Sequence, residues 1–264
     1  MTYQFAKGYP KGEFLLPSVT KIIGDCTDKS RALTQWSANS TVLHIKQHCI
    51  KTKGNFPHYR VNDEQLNAAR FNFRNISDTA LEIGHAVHSA IEQYLRIEVC
   101  LKTSKEQHLQ EHLVNSKDSD KKNPSIIAGF DAFLEWMDEH KVKPIAIEET
   151  VYGNYFAGTL DLRCLLNGKT YVIDFKTSKA IYANDYGPQI AAYRSTFPDD
   201  SVRGEEHIVR GCGILRLDKE TGLPEWKDFS DRYEKDLKVF NKMVELYMFR
   251  HKIIANKAGW KEDA

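Results

Sequence analysis

The sequence predicts an α/β fold, a small mixed central sheet flanked by helices, with a helical N-terminal region ahead of it. Three observations carry this. Residues 145–152, 155–166, 170–177, 207–217 and 223–229 read as strands, with Asn167-Gly168 as a hairpin turn signal between the second and third. Apolar residues recur at helical spacing over 30–48, 62–73, 77–99, 124–137, 184–197 and 231–254. Helical segments dominate the first half, whereas strands and helices mix in the second. At 264 residues, without internal repeats, the chain reads as a single domain: 1–123 a mainly helical part and 124–264 the strand-rich core.

In order, residues 1–17 carry Gly8, Pro10, Gly12 and Pro17 and read as an extended arm. Ser18 is placed to cap a helix beginning at Val19. Leu33, Trp36, Val42, Leu43 and Ile45 mark the next helix, and 51–57 is a loop. The segment 62–73 predicts a third helix whose flanking Arg60, with Arg70 and Arg74, faces either phosphates or solvent. Ser77 caps a fourth, with Leu81, Val87, Ile91 and Leu95 on one face and Gly84, His88 and Glu92 on a stripe of period four. Residues 101–123 are polar and linker-like. Pro124 opens a helix ended by Pro144, and Asp231 to about Ile254 forms the last one.

Composition narrows the class. Lys and Arg (37) balance Asp and Glu (36), so any surface that attracts a polyanion must be local. No run of eighteen apolar residues occurs, and MTYQFAKGYPKGEF lacks the apolar stretch of a signal peptide, so a soluble, intracellular protein is expected. Cys26, Cys49, Cys100, Cys164 and Cys212 have no short pair spacing, which argues against a zinc ribbon or a disulfide framework and for free thiols.

The chemistry concentrates at 158–193. Asp161 and Asp174 interrupt two apolar strands, where unpaired carboxylates repel and lose hydration unless a cation compensates them. Lys176 shares a sheet face with Asp174, since strand side chains alternate. Two carboxylates that hold a divalent ion, with a lysine to orient water and offset charge, are what metal-assisted phosphodiester hydrolysis requires. Taken alone, Asp-x-Lys also fits a surface ion pair.

The wider pattern resembles the PD-(D/E)xK nuclease superfamily. Its carriers are Gly158-Thr159-Leu160-Asp161, the turn, and Val172-Ile173-Asp174-Phe175-Lys176-Thr177. Gln189-Ile190-Ala191-Ala192-Tyr193 is similar to the Gln-x-x-x-Tyr signature of the RecB-like branch, and Gly84-x-x-x-His88-x-x-x-Glu92 to its metal-covering helix. Leu16-Pro17-Ser18-Val19-Thr20 is similar to a phrase of phage-type exonucleases and the mitochondrial genome-maintenance exonuclease.

The resemblance implies a restriction-endonuclease-like core and a Mg²⁺- or Mn²⁺-dependent DNA exonuclease acting on free single-stranded ends. Such an enzyme would serve DNA repair or recombination in the cytoplasm of a cell or phage-infected host. Within the same fold the alternative is an endonuclease or duplex-end nuclease, and outside it an inactive DNA-binding module. The resemblance implies metal ligation by His88, Asp161, Asp174 and the Phe175 backbone carbonyl, and catalysis by Asp161, Asp174 and Lys176. Gln189 and Tyr193 would orient the phosphate or the lysine. Glu92 and Glu148 are accessory candidates, and Arg70, Arg74, Lys179 and Arg194 candidate nucleic-acid contacts. Relatives with an iron–sulfur cluster use a C-terminal cysteine group; no cysteine follows Cys212, so no cluster is expected.

Overall fold

The computed structural model describes residues 2–4, 15–53, 58–101, 123–197, 208–251, 253–256 and 259–262. The polar stretch at 102–122 and most of the N-terminal arm, 5–14, lie outside them. The chain divides into two compact units, one comprising Met1–Cys26 with Ala86–Ala264, the other Thr27–His85.

Strand β1 (Thr2–Gln4) pairs antiparallel with β2 (Leu15–Pro17), and α1 (Val19–Cys26) follows. Ser18 caps α1 as its position predicts, its Oγ accepting the Lys21 N–H at 3.1 Å. Ser18 also forms a parallel bridge with Ala157, and Leu16, Val19, Ile22 and Ile23 are buried. The Leu-Pro-Ser-Val-Thr phrase therefore docks α1 on the core.

In the second unit, α2 (Ser30–His48) precedes a short ladder of β3 (Ile50–Lys51) and β4 (Tyr59–Arg60). Helix α3 runs over Asp63–Leu101, where two helices were expected. Ser77 is interior, because Asn75-Ile76-Ser77-Asp78 contains neither Gly nor Pro and nothing stops the ladder. The real cap is Asn62. Its Oδ1 accepts the Gln65 N–H at 2.8 Å, and Gln65 Oε1 accepts the Asn62 N–H at 3.0 Å, a reciprocal capping box.

Helix α4 (Pro124–Glu139) starts on Asn123, whose side chain accepts the Ser125 N–H, with Pro at the first turn. The main sheet then forms from β5 (Lys143–Tyr152), β6 (Ala157–Leu166), β7 (Lys169–Lys176), β8 (Val209–Leu217) and β9 (Pro224–Asp228), in that spatial order. Pro144 lies inside β5 instead of ahead of it. Asn167 and Gly168 both take positive φ, 51° and 76°, the tight turn that matches strand twist. β7 and β8 are parallel, joined through α5 (Ala183–Arg194), and the other neighbours are antiparallel. After a 3₁₀ turn at Ser230–Arg232, α6 covers Tyr233–Arg250. Ile253 and Ile254, expected in that helix, fall in β10 (Ile253–Asn256), paired with β11 (Gly259–Glu262); adjacent β-branched residues favour the strand.

Helices cover both sheet faces. Val172, Cys212 and Ile214 pack with Ile190 and Tyr193 of α5, Phe240, Val244 and Tyr247 of α6, and Val19 and Ile22 of α1. On the alternate face, Phe175, Leu215 and Trp226 stand in register. Phe133 of α4 meets Phe175 edge-on at 5.5 Å, and Trp136 lies 5.5 Å from Trp226. Tyr94 of α3 meets Phe130 and Phe133 at 5.7 and 6.3 Å. Buried Phe130, Phe133 and Phe175 each contribute about 1.5–3 kcal/mol by burial. Among the described residues no helix is long and apolar enough to cross a membrane.

Candidate active site

Charged side chains gather where β6 and β7 pass their last mutual pair, Leu162 with Ile173. One residue further on each strand stand Asp161 and Asp174, 8% and 3% exposed. Buried carboxylates this close must be compensated. Asp161 Oδ2 accepts the Phe175 backbone N–H at 2.5 Å, and Oδ1 lies 3.3 Å from His88 Nδ1. Asp174 Oδ1 accepts from Gln189 Nε2 at 2.9 Å. Its Oδ2 is buried and forms a close ion pair with the Lys176 ammonium.

Proton affinities follow from this crowding. Burial opposes a charged His88, but Asp161, helped by Asp174, outweighs it and raises the imidazole pKa. Burial opposes an ionised Asp161, yet His88, Lys176 and the Phe175 N–H hold its pKa below the ordinary value. At Asp174 burial, reinforced by Asp161, overcomes Lys176 and the pKa rises. Burial disfavours a charged Lys176, but Asp174 and Asp161 more than offset it, so the lysine holds its proton firmly.

Glu148 enters from β5 by an unusual backbone. Its φ is +49°, a left-handed conformation inside a strand, and the ladder with β6 passes from Ile147–Leu162 to Glu149–Leu160 without pairing it. Such a conformation costs a non-glycine residue about 1–3 kcal/mol. Glu148, His88 and Asp161 each offer a ligand atom within 4.8 Å of the others. Burial, then Asp161 and Glu92, push the Glu148 pKa to about 7. Glu149 is engaged elsewhere, holding buried Arg163 through two bonds of 2.8 and 3.1 Å.

Helix α5 supports the site from below. Gln189, 6% exposed, gives its amide to Asp174 and to the Tyr193 hydroxyl, the latter at 3.3 Å, and to neither Lys176 nor an open surface. Tyr193 lies over Gly158: a Cβ there would be 2.4 Å from Tyr193 Cε1. The glycine of Gly-x-x-Asp and the tyrosine of Gln-x-x-x-Tyr are thus two halves of one contact. Sequence reasoning missed Tyr186, whose ring lies 5.1 Å from Lys176 Nζ and whose hydroxyl donates to Ser178 Oγ. Its signal was available, since Tyr186, Gln189 and Tyr193 recur at helical spacing.

Apart from Glu92, whose charge reaches Glu148, the other candidates are dispersed. Glu92 pairs with Arg96 at 2.8 Å. Lys179 lines a polar cleft of about 270 Å³ with Thr177, Ser178 and Lys219 at the ends of β7 and β8. Arg194 is stacked on Tyr233 at 3.9 Å. Arg70 and Arg74 belong to the second unit, both against the Phe71 ring.

A mixed sheet with helices on both faces, two strand aspartates and a lysine on the same hairpin define a nuclease core. The chain belongs to the PD-(D/E)XK nuclease superfamily, whose model matches residues 55–247. Among solved structures, an alkaline exonuclease, LHK-Exo, from Laribacter hongkongensis aligns over 59% of this chain and 88% of its own, at 10% identity and TM-score 0.29. The structure of SSO0001 aligns over 59% and 71%, at 13% identity and TM-score 0.28. Both scores are too low for the likeness to bear on function. A comparison with curated proteins finds no match.

The residues fit a divalent cation. His88, Glu148 and Asp161 converge with Asp174 beside them, a hard, mainly oxygen donor set in which two adjacent buried aspartates call for positive charge.

Proposed function

We propose that the protein is a divalent-metal-dependent deoxyribonuclease of the RecB-like branch, an exonuclease acting on single-stranded DNA with a free end. The observation that carries this is the convergence of His88, Glu148 and Asp161 beside the Asp174–Lys176 pair. His88, Glu148, Asp161, Asp174 and the Phe175 carbonyl would hold Mg²⁺ or Mn²⁺, the imidazole making Mn²⁺ a good substitute. The bound ion supplies Lewis-acid polarisation of the scissile phosphate and a lowered pKa for attacking water.

The protein's own groups do the rest. Gln189, as a positioning residue, fixes Asp174 by one oxygen and leaves the other facing the site. Lys176, beside Asp174, is placed to orient the attacking water and to offset charge on the phosphoryl oxygens. Tyr186 holds the lysine stem in place. Processing of DNA ends in repair or recombination is the biological role this chemistry suits.

A time course with Mg²⁺ or Mn²⁺ on linear single-stranded DNA, beside the same sequence closed into a circle, tests the reading. The linear strand should be lost from its ends while the circle persists. Asp174→Ala and Lys176→Ala should each slow cleavage by at least about a hundredfold in folded protein. Equal cutting of the circle would promote the endonuclease alternative, and full activity of either variant would remove the site assignment.

A further inference from the structure

Unit Thr27–His85, taken by itself, carries a surface that a folded core does not explain. Leu33 and Trp36 of α2 and Phe71 of α3 are 56%, 38% and 40% exposed. Leu33, Trp36, Phe73, Arg74, Ser77 and, at one end, the single carboxylate of Asp78 line a groove of about 250 Å³ between the two helices of this unit. Trp36 meets Phe73 at 6.1 Å with the ring planes nearly perpendicular, and the indole keeps over a third of its surface exposed. Guanidinium groups alternate with the rings: Arg74 lies 5.1 Å from Phe71 and 5.7 Å from Phe73, and Arg70 5.3 Å from Phe71.

Charge runs the same way. Residues 27–85 hold eight Lys and Arg against five Asp and Glu, although the whole chain is balanced to within one charge. An apolar face for a protein partner has no use for two guanidinium groups set against its phenylalanine rings. A polyanion whose repeating unit also carries a flat π-face uses both.

We propose that this groove is a single-strand binding site in which Trp36 and Phe73 stack nucleobases and Arg70 and Arg74 take the adjoining phosphates. This rests on the nuclease reading and extends it: recognition of the substrate is built into the helical unit and depends on unpaired bases. Stacking is tolerant of sequence, whereas a duplex hides its base faces.

The test is equilibrium binding by fluorescence anisotropy in EDTA, where cleavage is absent. The probes are labelled oligo(dT) of about 20 nucleotides and an abasic deoxyribose-phosphate strand of the same length. Trp36→Ala should weaken oligo(dT) binding about tenfold and leave abasic binding unchanged, with Trp36→Phe retaining most of the affinity. Arg74→Ala should weaken both probes and flatten the salt dependence, and Arg74→Lys should restore the slope. Leu33→Glu, at an exposed position, should reproduce the loss without threatening the fold.

Unchanged oligo(dT) affinity in both Trp36→Ala and Leu33→Glu overturns the proposal. So does a shift from dimer to monomer in Trp36→Ala with DNA binding intact, which would make the groove a self-association face. Base-dependent binding without any cleavage in Mg²⁺ or Mn²⁺ would sink the nuclease reading while supporting the groove. Cleavage indifferent to Trp36 and Leu33, with binding equally indifferent, would do the reverse.

Discussion

At the scale of single residues, Glu148 is the most informative side chain. Its carboxyl is raised from 4.5 to about 7, by burial first and then by Asp161 and Glu92. A group whose folded pKa exceeds its unfolded value binds more protons when folded, so its stability contribution is present below the unfolded value and lost as pH rises through the folded one. The metal-free wild type should therefore lose stability between pH 4.5 and about 7 on account of Glu148. Glu148→Gln removes that dependence. In EDTA its melting temperature should exceed that of wild type at about pH 8 and converge with it at about pH 5. A variant no more stable than wild type at the higher pH would mean that the carboxylate is not crowded as described. The sequence names Glu148 as the accessory candidate, and the left-handed backbone at 148 and the Arg163 pair at 149 are the structural features that set it apart from its neighbour.

At the scale of elements, the contact between β6 and α5 sets the geometry. Tyr193 fills the space a side chain at 158 would need, and its hydroxyl receives the same Gln189 amide that holds Asp174. Gly158→Ala should push the ring away at a cost of about 1–3 kcal/mol, as overpacking does. The chain from Tyr193 through Gln189 to Asp174 should loosen with it. A lower urea midpoint together with reduced kcat is the expected result; unaltered stability and turnover would show that the ring yields freely. The motif glycine was legible as a motif, but its purpose was not, since the partner lies 35 residues on in another element.

For α3 the reverse happened. Val87, Ile91 and Leu95 of the apolar stripe are buried and Leu81 is exposed, while the helix expected over 62–73 runs on without the break expected at Ser77, since a serine before an apolar run is a common cap signal. The capping box Asn62-x-x-Gln65 was in plain view. Helix ends are decided by which local bonds the backbone makes, and a serine inside an unbroken ladder makes none that matter.

At the scale of the whole molecule, we propose that the two units serve one nuclease domain. Between Thr27 and His85 only Ser40, Cys49 and Ala69 are buried among the described residues, far too few to offset the entropy of ordering the segment. The isolated fragment 27–85 should show no cooperative thermal transition by circular dichroism, whereas the full chain should melt cooperatively. A sharp transition in the fragment would argue for two domains.

What the sequence determined by itself was the clustering: Asp161, Asp174 and Lys176 lie on strands joined by a two-residue turn, and their meeting follows from the period of a strand and the twist of Asn167-Gly168. The helix register of Gln189 and Tyr193 is equally local. Only the tertiary structure decided where those side chains spend their hydrogen bonds. It sends Gln189 to Asp174, brings Glu148 and not Glu149 to His88 and Asp161, and stacks Arg194 on Tyr233. Those choices depend on register between distant strands, on one backbone angle and on packing between helices, none of which leaves a period in the sequence.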